Sequence, residues 1–204
     1  MRPKDLVNQL RRIASKIENS SRPSKELVSR DIRSVLAAMN EPTKTVDSKG
    51  TIEYRLNGKL HREDGPAVEW ANDGNKYWYQ NGKRHRTDGP AIEDADGTKE
   101  WYINGVLHRT DGPAIEDPNG HKEWWVNGKR HRTDGPAIEW ANGNKYWYIN
   151  GVIHRTDGPA VERTGNKEWY LNGKQITMES YDQFRSQYPE LVDQFLAYEA
   201  SKQD

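Results

Sequence analysis

The sequence predicts a mainly β fold with helical ends: an elongated antiparallel meander of hairpin repeats, with a helical hairpin before it and a helical cap after it. Three observations predict it. An aromatic strand ending in Asn-Gly returns six times, at Asn57-Gly58, Asn81-Gly82, Asn104-Gly105, Asn127-Gly128, Asn150-Gly151 and Asn172-Gly173, in steps of 24, 23, 23, 23 and 22 residues. Between these stand five copies of His-Arg-x-Asp-Gly-Pro-Ala-x-Glu, starting at His61, His85, His108, His131 and His154. Outside the repeats, the apolar spacing changes from strand-like to helical.

The N-terminal zone, residues 1–45, is predicted as a helical hairpin and linker. Leu6, Leu10, Ile13 and Ile17 fall on one helix face. After the breaker "NSSRPS", Val28, Ile32, Val35 and Met39 repeat that spacing, with Leu27 and Leu36 widening the stripe. So short a link favours antiparallel packing.

Residues 46–175 form the repeat array. Three positions before each Asn-Gly turn, and again one position before it, lie residues of one strand face: Tyr54, Trp78, Trp101, Trp124, Trp147 and Trp169 are the first set. The position between them, on the opposite face, holds Arg55, Tyr79, Tyr102, Trp125, Tyr148 and Tyr170. Pro-Ala-(Ile/Val)-Glu supplies a second strand, giving two strands per repeat and ten to twelve in all. One pattern recurs within the chain. Where Trp70 or Trp140 follows the Glu, Tyr77 or Tyr146 precedes the next Trp; where Asp94, Asp117 or Arg163 follows it, Glu100, Glu123 or Glu168 does. These positions are expected to face each other across a hairpin, as aromatic pairs at Trp70/Tyr77 and Trp140/Tyr146 and an ion pair at Arg163/Glu168. Neighbouring lysines are the expected neutralisers of the like-charged pairs.

Residues 176–204 are predicted as a helical cap. Thr177 or Ser180 caps a first helix, Pro189 starts a second, and Leu191, Val192, Phe195 and Leu196 give its apolar face. Covering the last strand is one use for this face; binding a partner is the other.

Composition narrows the function. Hydrophobic residues are 33% of the chain, with eight Trp, ten Tyr and two Phe, so a thin aromatic fold is expected rather than a thick aliphatic core. The formal net charge is zero, which removes the basic surplus that nucleic-acid binding favours. It is distributed unevenly: residues 1–45 hold ten Lys/Arg against five Asp/Glu, and residues 174–204 hold three against six. There is no cysteine, hence no disulfide framework and no thiolate metal site. The charged opening, residues 1–20, has no apolar stretch and is not expected to act as a secretory signal, and no apolar run reaches membrane-spanning length.

The repeated His, Arg and Asp have the look of an active site, but five equal copies argue for construction. Equivalent residues two strands apart stand about 10 Å from one another, too far to share a zinc ion. Asp88-Gly89 is expected to make a tight turn with Gly at positive φ, and Arg86 and its counterparts to pair with an Asp or with Glu93-type carboxylates of a neighbouring repeat, giving a charged ladder. His121 falls outside the ladder, on a turn. No phosphate loop, nucleophile elbow or zinc motif appears.

The segment "DGNKYWYQNGKRHRTDG", residues 73–89, resembles a variant of the MORN repeat, which has a similar length, an aromatic strand, an NGK-x-H turn and a trailing DG. The resemblance covers roughly residues 50–175. It departs from the family where Arg follows the His and "DGPA" follows, so lipid binding does not carry over. The variant is similar to repeats in proteins of large bacteriophages and some bacteria. What it implies is an elongated sheet with a role in scaffolding, dimerisation or partner binding, and no enzymatic activity.

The expectation is therefore a non-enzymatic protein-binding or scaffold protein, phage-encoded, acting as a virion component or on a host factor, without cofactor or metal. It would reside in the host cytoplasm or the virion. The partner is a protein, self or foreign, and a homo-oligomer is one form of it. The candidate partner-binding residues are Tyr79, Tyr102, Trp125, Tyr148, Tyr170, Trp70, Tyr77, Trp140 and Tyr146. The first five are either an exposed binding row or part of the only core a single-layer sheet has, aromatics on both its faces, while the Trp row is expected beneath a cover. One alternative is a nucleic-acid-associated protein, with Arg11, Arg12, Arg30 and Arg33 as a basic patch and the aromatics stacking on bases. Another is a carbohydrate-binding module using Tyr102 and Trp125.

Overall fold

A computed structural model describes residues 8–13, 15, 30–32, 35 and 41–202. The described residues of the N-terminal zone are helical through residue 35. Ile13 and Val35 are buried, whereas Leu10 and Ile32 of the same predicted stripes are exposed. The rest of the expected helical hairpin lies outside the described residues. No helix among the described residues is long and apolar enough to cross a membrane.

The array is an antiparallel meander of 13 strands. Its first strand, Thr43–Val46, is exposed throughout and pairs with Ile52–Leu56. From there the sheet grows by one two-stranded unit per repeat, such as Ile92–Glu93 with Lys99–Glu100. The predicted long aromatic strand is broken at its Trp in each later copy. Lys99–Glu100 belongs to the long sheet, Tyr102–Ile103 belongs to a second, two-stranded hairpin with Val106–Leu107, and Trp101 stands between them. Each repeat therefore carries four short strands rather than two. Adjacent second hairpins are linked as well: the Gly105 N–H donates to the Arg84 carbonyl at 2.7 Å and the Arg86 N–H to the Tyr102 carbonyl at 3.1 Å.

Asn-Gly makes every one of the second hairpin turns. Asn104 has φ 53° and Gly105 φ 85°, and such a turn requires positive φ at both central residues, matching the twist of the flanking strands.

The register sorts the long sheet into two rows of opposite character. One face runs Val68, Tyr77, Ile92, Glu100, Ile115, Glu123, Ile138, Tyr146, Val161, Glu168. The other alternates Glu69, Lys76, Glu93, Lys99, Glu116, Lys122, Glu139, Lys145, Glu162, Lys167. Opposite charges thus meet at every cross-strand step, which is the stabilising arrangement.

The array ends in a covered edge. A short helix, Tyr181–Arg185, leads to Pro189–Ala200, where Pro189 occupies the first turn as its missing N–H allows. Ser180 sits at the first helix's N-cap without a side-chain cap bond; its Oγ accepts the Thr177 N–H at 2.9 Å instead. Leu191 and Phe195 join Trp169, Leu171 and Ile176 in one buried cluster. Each such side chain contributes roughly 1.5–3 kcal/mol by leaving water. The Tyr198 hydroxyl accepts the Lys167 N–H at 2.8 Å, occupying a donor of the last strand. Relative to Asn104-Gly105-Val106-Leu107-His108-Arg109, the segment Asn172-Gly173-Lys174-Gln175-Ile176-Thr177 puts Ile in place of His and Thr in place of Arg. The repeat stops where the helix takes over.

Candidate functional site

Each His-Arg-x-Asp-Gly-Pro-Ala-x-Glu copy folds into the same station around its arginine. In the third copy, Arg109 Nε donates to Asp111 Oδ1 at 2.9 Å, and Nη1 donates to the Pro113 carbonyl at 3.0 Å and to Glu116 Oε1 at 2.7 Å. The guanidinium lies 3.9 Å from the centre of the Trp101 ring. Arg62, Arg86, Arg132 and Arg155 repeat these bonds and stack at 4.0, 4.1, 3.9 and 4.0 Å on Tyr54, Trp78, Trp124 and Trp147. The expected choice between Asp and Glu is resolved as both, inside one copy. The Trp row is not under a separate layer: Trp78, Trp101, Trp124 and Trp147 are half-buried beneath their own arginines, and Trp169 alone of the row is buried, against Phe195 and Tyr198.

The station explains its small residues. Ala67, Ala91, Ala114, Ala137 and Ala160 have no exposed surface, so a larger side chain would overpack the site. The expected positive φ at Asp88-Gly89 is not what the structure shows; Gly89 is absent from the positive-φ residues. Its reason is proximity. A Cβ there would stand 2.9 Å from Arg86 Cζ, and the same holds for Gly65, Gly112 and Gly135 against their arginines.

The histidines tie one repeat to the next. His85 Nδ1 accepts the Asn104 N–H at 3.1 Å; His61, His108, His131 and His154 do the same for Asn81, Asn127, Asn150 and Asn172 at 3.0–3.1 Å. An accepting Nδ1 places the proton of a neutral ring on Nε2. Among the described residues, no three His, Asp or Glu side chains converge on a metal-sized site.

The carboxylates of the loops stay ionised. The hydrogen bond and charge of the neighbouring arginine hold Asp64, Asp88 and Asp134 below the usual carboxyl range, and Asp111 and Asp157 are lowered chiefly by the same hydrogen bond.

Open grooves lie between three pairs of neighbouring stations. The groove between the loops of Arg86 and Arg109 encloses ≈ 530 Å³ and is floored by Trp101 and Ile103, with His108 beside them. Its counterparts between Arg62 and Arg86, and between Arg132 and Arg155, enclose ≈ 530 and ≈ 510 Å³.

The opposite face holds the predicted aromatic row. Tyr79, Tyr102, Trp125, Tyr148 and Tyr170 are all half-buried, neither free platforms nor a sealed core. Their hairpin partners Arg84, Leu107, Arg130, Ile153 and Gln175 interleave with them, and Arg84 and Arg130 lie 5.3 and 5.8 Å from the rings of Tyr102 and Tyr148 in the next repeat. Burial pushes the Tyr102 hydroxyl up to about 12, reinforced by Glu100.

The internal pairs are diagonal rather than facing. Tyr77 is opposite Val68, and Trp70 donates its N–H to Asn75; the Trp70 and Tyr77 rings meet edge-on at 6.4 Å. Trp140 instead stacks on His121, 3.8 Å away and 20° from parallel, leaving Tyr146 to Arg163, 5.6 Å over its ring. Arg163 also reaches Glu168 at 3.4 Å. Trp70 and Trp140 are 40% and 46% exposed, the only exposed members of the predicted aromatic set.

Sequence reasoning missed the cluster at Glu123. This carboxylate is only 7% exposed. It accepts from Trp125 Nε1 at 2.8 Å and Arg130 Nε at 3.0 Å, and His121 Nε2 is 3.1 Å away. Arginine, not lysine, is therefore the cation that offsets it, while Asp117 turns to the Asn119 N–H at 2.8 Å. Its signal was present as His121 in a position that holds Asn or Thr in the other repeats.

Of the predicted basic patch, Arg11, Arg12 and Arg30 are exposed, and Arg30 is 3.9 Å from Asp31; Arg33 lies outside the described residues. In comparisons with known proteins, no family model and no curated protein matches this chain.

Proposed function

We propose that the chain is a non-enzymatic binding scaffold that holds an elongated partner across several repeats at once. The observation that carries this reading is the recurrence of one built station, with equivalent open grooves between Arg62 and Arg86, Arg86 and Arg109, and Arg132 and Arg155. Catalysis needs one site with groups set apart from the rest. Here the Arg, Asp, Glu and His of each copy are engaged in the same internal bonds, which suits presentation of a rigid, periodic surface. Many weak contacts in register sum to useful affinity through effective concentration. The kinship with MORN-type repeats, and with it a phage origin and a virion or host-factor role, belongs to the same proposal, supported by the aromatic strand and the Asn-Gly turn.

The test is co-purification on the tagged chain, parent against a variant with grooves obstructed by Thr87→Arg, Thr110→Arg, Thr133→Arg and Thr156→Arg. These threonines are exposed. A partner recovered in stoichiometric amount with the parent and lost with the variant is expected. Recovery indifferent to the obstruction, or chemical turnover of the recovered material by the chain, would overturn the reading.

A further inference from the structure

The chemistry of the grooves names a class of occupant. In the groove between Arg86 and Arg109, several polar atoms have no hydrogen-bond partner among the described residues. Arg86 uses Nε and Nη1 and leaves Nη2; Asp88 uses Oδ1 and leaves Oδ2. His108 uses Nδ1 and leaves Nε2. Thr87 and Thr110 are exposed at the rim. Donors and acceptors thus alternate within one cleft, beside the half-buried indole of Trp101.

Charge excludes the commonest polymeric ligands. Each station joins one arginine to two carboxylates, and the row of lysines beside it is spaced between glutamates. The groove face therefore carries no cationic surplus for a polyanion. A ligand whose own groups both donate and accept, which has apolar C–H faces for an indole edge and bears no net charge, is a polyhydroxylated sugar ring. The repeat of the grooves, two strands or about 10 Å, asks for a chain of such rings.

Resting on the scaffold reading above, we propose that the grooves bind a linear neutral polysaccharide laid across successive repeats, with threonine hydroxyls, Arg Nη2, Asp Oδ2 and His Nε2 meeting its hydroxyls. The polymer follows the array's long axis, one short segment per groove. Affinity then grows with chain length until the grooves are filled.

The experiment is affinity electrophoresis of the full chain in native gels containing xylan, galactomannan, hydroxyethylcellulose or dextran, with heparin and poly(dT) as polyanion probes. At least one neutral polymer is expected to retard the chain, equally at low and high salt. Matching oligosaccharides should compete better with each added disaccharide. The variant Thr87→Val, Thr110→Val, Thr133→Val, Thr156→Val removes only exposed hydroxyls and should weaken retardation at least about fivefold, the factor for one net hydrogen bond. Its circular dichroism should match the parent's, and Trp101→Ala serves as a second, harsher variant. Retardation by heparin or poly(dT) alone would overturn the proposal in favour of a polyanion. No retardation by any neutral polymer would overturn it too; if groove obstruction still abolished co-purification of a protein, the scaffold reading would stand without the glycan. Retardation unchanged in the threonine variant would place the sugar elsewhere and also sink the proposal.

Discussion

Arg109 sits over Trp101, its guanidinium carbon 3.9 Å from the ring centre, and the contact recurs on the equivalent ring in the other four copies. It joins two residues eight apart in sequence across an Asn-Gly hairpin, while the three hydrogen bonds on the arginine's edge fix the loop that follows. Arg109→Lys keeps the charge and loses the planar fork and most of the stack. It should cost about 1–3 kcal/mol, from a cation–π contact and charge-assisted hydrogen bonds. Asp111→Ala should also lower the melting temperature, but less, because that carboxylate is 82% exposed and its pair is screened. Thermal melts of the two variants check the order; equal losses, or none, would contradict the central place given to the arginine.

The same contact sets the glycine. Gly112→Ala meets no unusual backbone angle, yet its Cβ would come within 2.9 Å of Arg109 Cζ. Either the guanidinium leaves the indole or the loop moves, at about 2–3 kcal/mol from the interactions lost. Gly74→Ala is the control. It sits at φ +78° with nothing within 4 Å, so only backbone strain of about 1 kcal/mol is expected. Near-ultraviolet circular dichroism should change for Gly112→Ala and stay constant for Gly74→Ala.

Gly105 and Gly112 show what the sequence could and could not disclose. Asn104-Gly105 was legible because a two-residue turn with positive φ at both positions admits few residue types. The period, the strand faces and the helix starting at Pro189 were legible from local spacing for the same kind of reason. The glycine of the repeated Asp-Gly, expected at Gly89 to meet a backbone need and standing at Gly112 in this copy, answers a steric one that comes from a side chain three residues earlier. Diagonal pairing misled in a related way. The Trp70 and Tyr77 rings meet although Tyr77 is opposite Val68, while Trp140 and Tyr146, which change in the same way, turn to His121 and Arg163 instead. The Glu123 cluster depends on Arg130, seven residues on and across a hairpin, a relation that no periodicity announces. The open grooves were illegible because they exist only between stations, not within the motif.

Acid should loosen the array in a defined window. The arginine hydrogen bonds depress the folded-state values of Asp64, Asp88, Asp111 and Asp134 below an unfolded value of about 3.9. A depressed carboxyl stabilises the fold above its unfolded value, and that contribution is lost as pH falls through the folded value. The fourfold Asp→Asn variant should therefore melt below the parent at pH 6, and the gap should close as pH drops from about 4 downward. A gap independent of pH would mean that the carboxylates act by shape rather than by charge.

The closing helix tests whether the array needs an end. Phe195 is 4% exposed and packs 5.6 Å from Trp169, and Tyr198 covers both that indole and the Lys167 N–H. Phe195→Ala should cost about 3–5 kcal/mol as a large-to-small core change, undocking Pro189–Ala200 and baring the last strand, Asn166–Glu168. A bared strand edge pairs with its like, so the variant should self-associate beyond the parent's state in analytical ultracentrifugation, with its tryptophan emission shifted to the red. Tyr198→Phe separates the two roles of the cap: it keeps the ring on Trp169 and removes only the acceptor of the Lys167 N–H. Amide exchange at Lys167 should quicken in that variant with the oligomeric state unchanged. If Phe195→Ala melts with the parent and stays in the parent's oligomeric state, the helix is not what ends the sheet, and its apolar face serves a partner instead.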